Sequence, residues 1–196
     1  MKLKDGKIVA GVSARHLHLS EIDLKALFGE KAQLTPIKDL GQPGQYASEE
    51  KVKVIGPKGV FESVRVLGPV RKDTQIEVSL TDAYKLGVIP PVRDSGDIEG
   101  TPGVKLEGPA GEVNLEKGLI LAKRHIHMTP EDSVKFDVKD KDMVSVLCDT
   151  EGRKTIFQDV LIRVSPKYAL EFHVDTDEAN ASFLKTGDEI QIIKAL

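Results

Sequence analysis

Residues 61–83, FESVRVLGPVRKDTQIEVSLTDA, and residues 157–179, FQDVLIRVSPKYALEFHVDTDEA, are two versions of one pattern, displaced by 96 positions (157 − 61 = 96). Five of the matched pairs are Phe61 with Phe157, Val64 with Val160, Arg71 with Lys167, Val78 with Val174, and Ala83 with Ala179. In the same register Glu77 falls on His173. A repeat of this kind predicts that the two halves of the chain form related structural units.

A second match lies upstream of each copy. Residues 7–20, KIVAGVSARHLHLS, resemble residues 118–129, GLILAKRHIHMT: each stretch has an apolar run, a basic residue, an H-x-H motif and a hydroxyl residue. The displacement here is 109 positions (125 − 16 = 109), so the first half carries thirteen additional residues between its two matches (109 − 96 = 13). The irregular stretch 29–49 has room for them.

The repeat accounts for all five histidines of the chain. Residues two apart on a β-strand point to the same face, so both imidazoles of an H-x-H motif can reach one metal ion. With one further ligand from each half, the sequence predicts two ligand sets: His16, His18 and Glu77, and His125, His127 and His173. A pair of histidines and a glutamate, or three histidines, are known zinc ligand sets that leave a fourth position open for water or substrate.

The alternative for a single H-x-H motif is a pair of solvated or hydrogen-bonded histidines. Two copies with a third ligand at equivalent repeat positions favour metal binding over that alternative. Glu77 taken alone would fit an exposed strand face equally well.

Composition excludes several classes of protein. The chain has 196 residues, of which 40% are hydrophobic and 30% charged, which is typical of a globular protein with a sizeable core. A formal net charge of -3 argues against nucleic-acid binding, although it leaves room for a local basic pocket. The single cysteine, Cys148, cannot form an internal disulfide and is expected to be a buried core residue. No apolar run reaches the 18 residues or so of a membrane span, and residues 1–13 do not look like a secretory signal, so we expect a cytoplasmic protein.

Short apolar strands dominate the chain. The predicted strands are KIVAGVS, KVKVIG, SVRVLG, QIEVSL, LILAKRH, MVSVLC, VLIRVS and LEFHVD. Three short helices are predicted in SEIDLKALFG, SLTDAYKLG and TPEDSVKF, with Ser20 and Thr129 as N-caps of the first and third. Residues 29–49 and 90–112 are predicted as loops. This pattern predicts a mainly β fold of barrels or sandwiches capped by short helices.

Eight longer segments carry a family resemblance. They are RHLHLS, LGQPGQYA, VIGPKG, VRVLGPVR, GTPG, RHIHM, IRVSP and HVDTDEAN. Together they resemble the PduL-type phosphate propanoyltransferases (phosphotransacylases), and the resemblance runs from about residue 7 to about residue 182. RHIHM and HVDTDEAN are specific as long matches, whereas GPKG or GTPG alone would mean little.

The resemblance implies an architecture of two small β-barrels capped by short α-helices, with the active site between them. One barrel would contain residues 5–14 and 123–196, and the other residues 15–28 and 50–122. Residues 29–49 would form a small lid. A division of the chain into two consecutive halves would then be wrong, because segments are exchanged between the barrels.

The resemblance also implies an activity, the reversible transfer of an acyl group between coenzyme A and inorganic phosphate at a dinuclear zinc site. The two zinc ions would bind the two ligand sets that the repeat predicts. Arg71 matches the family's phosphate-binding arginine and would serve catalysis. The residues that match coenzyme A contacts are Ser13, Ala14, Arg15, Lys58, Arg65 and Asn180.

The expected partners are acyl-CoA or CoA and inorganic phosphate, with no nucleic acid and no membrane, and with a homo-oligomer left open. Only about half a dozen residues precede the first predicted strand, so we expect no N-terminal extension that targets a microcompartment. Since the sequence offers no sign of a propanediol-degradation context, acetyl-CoA fits as well as propanoyl-CoA.

Two other functions remain open at this point. The first is a dinuclear metallohydrolase, a thioesterase or phosphoesterase, in which water takes the place of phosphate. The second is a non-enzymatic module in which two metal ions stabilise small barrels, although structural zinc usually has four protein ligands and only three per set are visible.

Overall fold

The computed structural model describes residues 3–193, and within them the chain is mainly β. In chain order the elements are β1 (Ile8–Ser13), β2 (His16–His18), α1 (Glu21–Phe28), β3 (Pro36–Asp39), β4 (Tyr46–Ile55), β5 (Val60–Gly68), β6 (Gln75–Glu77), α2 (Leu80–Leu86), β7 (Val92–Arg93), β8 (Lys105–Glu107), β9 (Glu112–Asn114), β10 (Leu119–Ala122), β11 (His125–Met128), α3 (Pro130–Lys135), β12 (Met143–Cys148), β13 (Thr155–Val164), β14 (Glu171–Asp175), α4 (Thr176–Ser182) and β15 (Glu189–Ile193). The predicted mainly β fold with short helices is confirmed.

The described chain divides into two compact units. The terminal unit contains the residues up to Ser13, Gly41–Pro43 and the residues from Lys123 onward. The middle unit contains Ala14–Leu40 and Gly44–Ala122. Most of the predicted lid, residues 29–49, therefore belongs to the middle unit, and its residues 41–43 belong to the terminal unit.

The terminal unit is a closed barrel with the strand order β1-β14-β11-β13-β12-β15. Buried side chains alternate with more exposed ones along β14 and β15, and the inward side chains of the barrel form one apolar core. Ile8, Ile126, Phe172 and Ile192 are fully buried in that core. Cys148 lies in the same core as expected, and burial raises the pKa of its thiol to about 12, so it behaves as a small apolar side chain.

The middle unit is a nine-stranded sheet with the order β7-β10-β6-β2-β5-β4-β8-β9, in which β3 also pairs with β4. The sheet curls as a half-barrel. Its curl brings the backbone N–H of Leu119 to the carbonyl of Pro102 at 2.9 Å, and the equivalent bond in the terminal barrel joins Ala10 to Asp188 at 2.8 Å. The two sheets thus share a hydrogen bond at equivalent positions. Within the described residues, regular strand pairing closes the terminal sheet and leaves the middle sheet open.

The strand registers confirm the internal repeat. In the middle unit β2 runs parallel to β5 and antiparallel to β6, and in the terminal unit β11 runs parallel to β13 and antiparallel to β14. The helices repeat as well: α3 starts 109 residues after α1, and α4 spans the positions 96 residues after α2. These are the two displacements that the sequence gives.

The first strand of each half pairs in the other half's unit. β1 runs parallel to β14, with Gly11 opposite His173. Its counterpart β10 runs parallel to β6, with Ile120 opposite Glu77. The halves therefore exchange one strand reciprocally, which is why the compact units are discontinuous in sequence.

The three predicted helices are present, and Ser20, Ser79 and Thr129 each accept a hydrogen bond from the backbone N–H three residues later. Sequence reasoning missed α4, although Asp175 and Glu178 form a capping box that marks its start. It also missed β3, β7 and β8, which lie in the stretches predicted as loops, and β9, which begins at the last residue of the second stretch. These strands have two to four residues, too few for an alternating pattern to stand out. No helix in residues 3–193 combines the length and the apolar character that crossing a membrane would require.

Candidate metal centres

The first cluster comprises His16, His18 and Glu77 in the middle unit. His16 lies opposite Glu77 across the β2–β6 pair, and each offers a ligand atom within 4.8 Å of those of the other members. The alternation of β2 explains the arrangement, because Leu17 between the histidines is fully buried in the apolar core of this unit. The strand thus sends its two imidazoles to one face and its leucine to the other.

The histidines of the first cluster are held by backbone carbonyls. His16 Nδ1 lies 2.9 Å from the carbonyl oxygen of Ala14, and His18 Nδ1 lies 3.1 Å from that of Leu67. A carbonyl can only accept, so each Nδ1 carries the proton and each Nε2 keeps its lone pair for a ligand. His16 Nε2 lies 3.5 Å from Glu77 Oε2. This second layer of hydrogen bonds is typical of imidazoles that bind metal.

Ser95 connects Glu77 to Arg71. Its hydroxyl donates to Glu77 Oε1 at 2.9 Å and accepts from Arg71 Nη1 at 3.1 Å. Gln75 Nε2 donates to both Ser95 Oγ, at 2.9 Å, and Glu77 Oε1, at 2.7 Å. The amide of Gln75 is itself oriented, because its Oε1 accepts from the backbone N–H of Gly96 at 2.7 Å. One carboxylate oxygen of Glu77 is therefore fixed by donors, and the other faces the histidines.

The second cluster comprises His125, His127 and His173 in the terminal unit. Their ligand atoms also lie within 4.8 Å of one another. His125 lies opposite His173 across the β11–β14 pair, which is the register that His16 and Glu77 have in the first cluster. Its Nδ1 lies 2.8 Å from the carbonyl oxygen of Lys123, the same two-residue contact that His16 makes. The fully buried Ile126 takes the place of Leu17.

His127 carries the strongest single indication of a ligand. The residue is 7% exposed, and both ring nitrogens are buried without a hydrogen-bond partner among the described residues. The ring stacks on Tyr168, with the centroids 4.1 Å apart. A buried imidazole with two unsatisfied nitrogens is costly, and a metal ion would satisfy one of them. The donor set of the second cluster thus fits a divalent metal ion.

Burial keeps these imidazoles neutral. Burial, with smaller effects from Arg71 and His16, lowers the pKa of His18 to about 3. Burial and His173 lower the pKa of His125 to about 3, and burial and His125 lower that of His127 to about 2. A metal ligand must be the neutral imidazole, so these groups are ready to bind at neutral pH.

Burial would raise the pKa of Glu77, but His16, His18 and the Ser95 hydroxyl outweigh it and hold that pKa below its usual value. The first cluster therefore presents two imidazoles and one carboxylate. The lowered pKa values and the geometry agree, and both favour a cation at this position.

A further carboxylate lies beside the second cluster. Glu171 Oε2 is 3.1 Å from His173 Nε2, and Gln42 Nε2 donates to the same oxygen at 2.8 Å. Gln42 is 5% exposed and is fixed in turn by the backbone of Ala169, since it donates to that carbonyl at 3.1 Å and accepts from that N–H at 3.2 Å.

The residues predicted to contact coenzyme A lie in both units. Ser13 and Asn180 are in the terminal unit, and Ala14, Arg15, Lys58 and Arg65 are in the middle unit. Asn180 is exposed on α4 and lines a cavity of about 900 Å³ together with Lys7 and Lys185.

The three basic residues of this set have different surroundings. The Arg15 guanidinium is 2.8 Å from Asp82 Oδ1 and lies over the Phe61 ring. Arg65 donates to the carbonyl of Ser48, whereas Lys58 is exposed.

Sequence reasoning missed four polar residues around the clusters: Gln42, Gln75, Ser95 and Glu171. One signal was available for two of them. Gln75 and Glu171 occupy equivalent repeat positions, each two residues before the third ligand of its cluster. Gln42 and Ser95 lie in irregular stretches, where sequence alone gives no register.

Fold and clusters together define a mainly β protein with two buried groups of side chains, each able to hold a metal ion. A sequence profile described as phosphate propanoyltransferase matches residues 9–185. A phosphate propanoyltransferase from Thermotoga maritima is 61% identical over 191 residues, covering 97% of this chain and 91% of that protein. One from Clostridioides difficile is 50% identical over the same length and with the same coverage. One from Enterococcus faecalis is 51% identical over 183 residues, covering 93% and 86%. The chain belongs to the phosphate propanoyltransferase family and is an acyltransferase.

Proposed function

We propose that this enzyme transfers an acyl group reversibly between coenzyme A and inorganic phosphate, and that the two clusters hold two zinc ions for the reaction. Family membership supports the reaction type. The observation that carries the proposal is the link from Arg71 through Ser95 to Glu77, because it joins an anion-binding cation to a candidate metal ligand by two hydrogen bonds.

Arg71 is the phosphate-binding residue of the proposal. A guanidinium is planar and binds a phosphate through two parallel hydrogen bonds, which also fixes its orientation. Arg71 is half-buried, so its attraction for an anion is screened less than that of a surface arginine. Ser95 keeps one guanidinium nitrogen in place.

His16, His18 and Glu77 would hold one zinc ion, and His125, His127 and His173 the other. Zinc, when bound, polarises a carbonyl and stabilises developing negative charge on oxygen or sulfur. Imidazole and carboxylate ligands also suit cobalt, manganese, iron or nickel, so metal analysis has to establish which ion the protein carries.

The reaction balances without a further reactant. A phosphate oxygen attacks the thioester carbonyl, a C–O bond forms, and the C–S bond breaks to release the thiolate of coenzyme A. Arg71 orients the attacking phosphate. The reverse reaction runs from acyl phosphate and the thiolate.

Coenzyme A contacts are proposed for Ser13, Ala14, Arg15, Lys58, Arg65 and Asn180, and a lid role for residues 29–49. The cationic side chains in that set would offset the charge of the coenzyme's phosphates. The acyl group is propanoyl or acetyl, and we expect the enzyme to work in the cytoplasm.

The test is an acyl-CoA series assayed with and without phosphate, in which hydroxylamine traps any acyl phosphate. We expect acyl hydroxamate only when phosphate is present, and about two metal ions per chain by elemental analysis. Release of free acid at the same rate without phosphate would replace the transferase with a metallohydrolase. Arg71→Ala then discriminates further, since it should abolish the dependence on phosphate in a transferase and leave a water-using enzyme largely unaffected.

A further inference from the structure

The carboxylates of the two clusters occupy different positions on equivalent strands. In β6 the residue opposite His18 is Gln75, and the residue opposite His16 is Glu77. In β14 the residue opposite His127 is Glu171, and the residue opposite His125 is His173. Along β6 the side chain opposite the second histidine of the H-x-H motif is an amide, and the one opposite the first histidine is a carboxylate. Along β14 the same two positions hold a carboxylate and an imidazole. Each cluster keeps one acidic side chain, moved by two residues along its strand.

The surroundings of Glu171 are those of a built site. Its side chain is 14% exposed, and its carboxylate lies between the imidazole of His173 and the donating amide of Gln42. Two glycines leave space for the carboxylate. A β-carbon on Gly11 would lie 2.6 Å from Glu171 Oε1, and one on Gly41 would overlap both carboxylate oxygens. Glycine at both positions therefore lets the carboxylate lie against the second cluster.

Charge gives this arrangement a role. Three imidazole ligands bring no negative charge to offset that of a divalent cation, whereas the first cluster has the carboxylate of Glu77 in its group. Glu171 lies next to the second cluster without belonging to the group of three ligand atoms. A carboxylate that accepts from the other ring N–H of a ligating histidine orients the ring and raises its basicity. Glu171 faces Nε2 of His173, so in this role His173 would bind the ion through Nδ1.

We propose that Glu171 is the positioning residue of the second cluster: it orients His173 and supplies the negative charge that Glu77 supplies in the first cluster. Gln42 holds the carboxylate in this position. The inference rests on the proposed function only in requiring that the second cluster binds a metal ion.

The experiment measures metal affinity and does not depend on activity. In the His16→Ala/His18→Ala background only the second cluster remains complete, and Co²⁺ added to the metal-free chain reports binding through its visible absorption. Adding Glu171→Gln, which keeps the size of the side chain, should weaken Co²⁺ binding about 10- to 100-fold and change the spectrum, as loss of an outer-layer partner does at other metal sites. Gln42→Ala should weaken it less, because the carboxylate is still there.

Two variants keep the inference falsifiable. In the reciprocal His125→Ala/His127→Ala background, Glu171→Gln should leave Co²⁺ binding to the first cluster unchanged, which excludes a general loss of folding. Combining Glu171→Gln with His173→Glu gives β14 the glutamine and glutamate that β6 has at Gln75 and Glu77. This double substitution should recover most of the lost Co²⁺ affinity.

The outcomes separate the two levels of the proposal. If Glu171→Gln leaves Co²⁺ affinity and spectrum unaltered in the first background, or if the double substitution binds no better than Glu171→Gln alone, Glu171 has no such role. If the unsubstituted chain takes up fewer than two Co²⁺ ions, the proposed dinuclear function fails instead.

Discussion

The two clusters have the same backbone and different chemistry. In both, an H-x-H strand runs antiparallel to a strand that carries the third ligand, and the first histidine of the motif lies opposite that ligand. The first cluster has a carboxylate as a member, a serine–glutamine network around it and an arginine beyond. The second has three imidazoles, an aromatic ring against one of them and a carboxylate beside them. Strand register thus fixes the positions of the candidate ligands, while the side-chain types at those positions determine the charge and the hydrogen bonding of each cluster.

This comparison suggests a division of labour. On the proposed function, the first cluster, with Arg71 two hydrogen bonds away, would be the one that brings an anionic substrate to a metal ion. The second is less buried, since two of its three imidazoles are partly exposed whereas both imidazoles of the first are buried. Substitutions in each cluster test whether the two centres are equally necessary and whether their differences have the proposed effects.

The largest effect is expected from removing one ligand of either centre. His18→Ala and His127→Ala should each reduce kcat/KM by more than about 100-fold, because even outer-layer losses at metal sites cost about 10- to 100-fold. The hydroxamate assay and metal content of each variant check this. If only His18→Ala lost activity while His127→Ala kept it, the second centre would be structural and the division of labour would fall.

Arg71→Ala should come next, with a loss of about 100-fold or more in kcat/KM for phosphate, the scale of removing a charged group that contacts the reacting oxygen atoms. Its repeat counterpart Lys167 is exposed and provides the matched control. Lys167→Ala should change the same parameter by less than about twofold, as surface charges generally do. Equal losses in both variants would contradict a specific role for Arg71.

Ser95→Ala should have an intermediate effect. It removes the hydroxyl that joins Arg71 and Glu77, and hydrogen bonds to charged groups contribute about 1.5–3 kcal/mol, or about 10- to 100-fold. Both KM for phosphate and the affinity of the first cluster for metal should worsen, whereas the second cluster should bind as before. Ser95→Thr keeps a hydroxyl and should recover part of the loss.

Acid should destabilise the metal-free protein through the second cluster more than through the first. The folded state keeps His18, His125 and His127 neutral down to pH values near 3, whereas the unfolded chain protonates histidines at about 6.5. Since the unfolded state binds more protons in this interval, the free energy of unfolding falls as pH drops from about 6.5 towards about 3, by about 1.4 kcal/mol per pH unit for each such histidine.

Urea unfolding of the metal-free chain at several pH values between 7 and 4 measures that slope. The His125→Gln/His127→Gln variant should flatten it about twice as much as His18→Gln, because it removes two of the three groups. Equal slopes in all three proteins would mean that burial does not hold these imidazoles neutral.

The smallest effect is expected at Tyr168, whose ring stacks on His127. Aromatic stacking contributes about 0.5–1.5 kcal/mol beyond burial, so Tyr168→Leu should weaken metal binding at the second cluster about 2- to 10-fold. Tyr168→Phe keeps the ring and should bind nearly as well as the unsubstituted protein. A metal affinity that is the same in all three would show that the stack does not position His127.

Much of this architecture could be predicted from sequence because it is repeated. A displacement of 96 residues brought Glu77 into register with His173, and the H-x-H spacing placed paired imidazoles on one strand face. The structure groups the same six side chains, although their role as ligands stays a prediction. Period-two alternation likewise predicted the longer strands, since burial on one face leaves a strong pattern.

What sequence could not supply is the pairing of strands and the contacts of irregular segments. The apolar run before each H-x-H motif gave no sign that β1 and β10 pair in opposite units, because a strand's sequence records its buried face and not its neighbour. Ser95 and Gln42 are polar residues in glycine-containing stretches, where sequence does not distinguish them from ordinary loop residues. Their hydrogen bonds depend on where distant segments meet.

The exchanged strand has a consequence for how the protein can be made. The terminal barrel consists of one strand, β1, that is synthesised before the strands of the middle unit, and five strands that are synthesised after them. β1 must therefore wait, unpaired, while the intervening residues emerge, and its parallel partner β14 is among the last strands to appear. Long-range closure of this kind slows folding and leaves an apolar segment exposed in the meantime. Of the six strands of this barrel, β1 thus has the longest interval between its own synthesis and that of its pairing partners, β14 and β15.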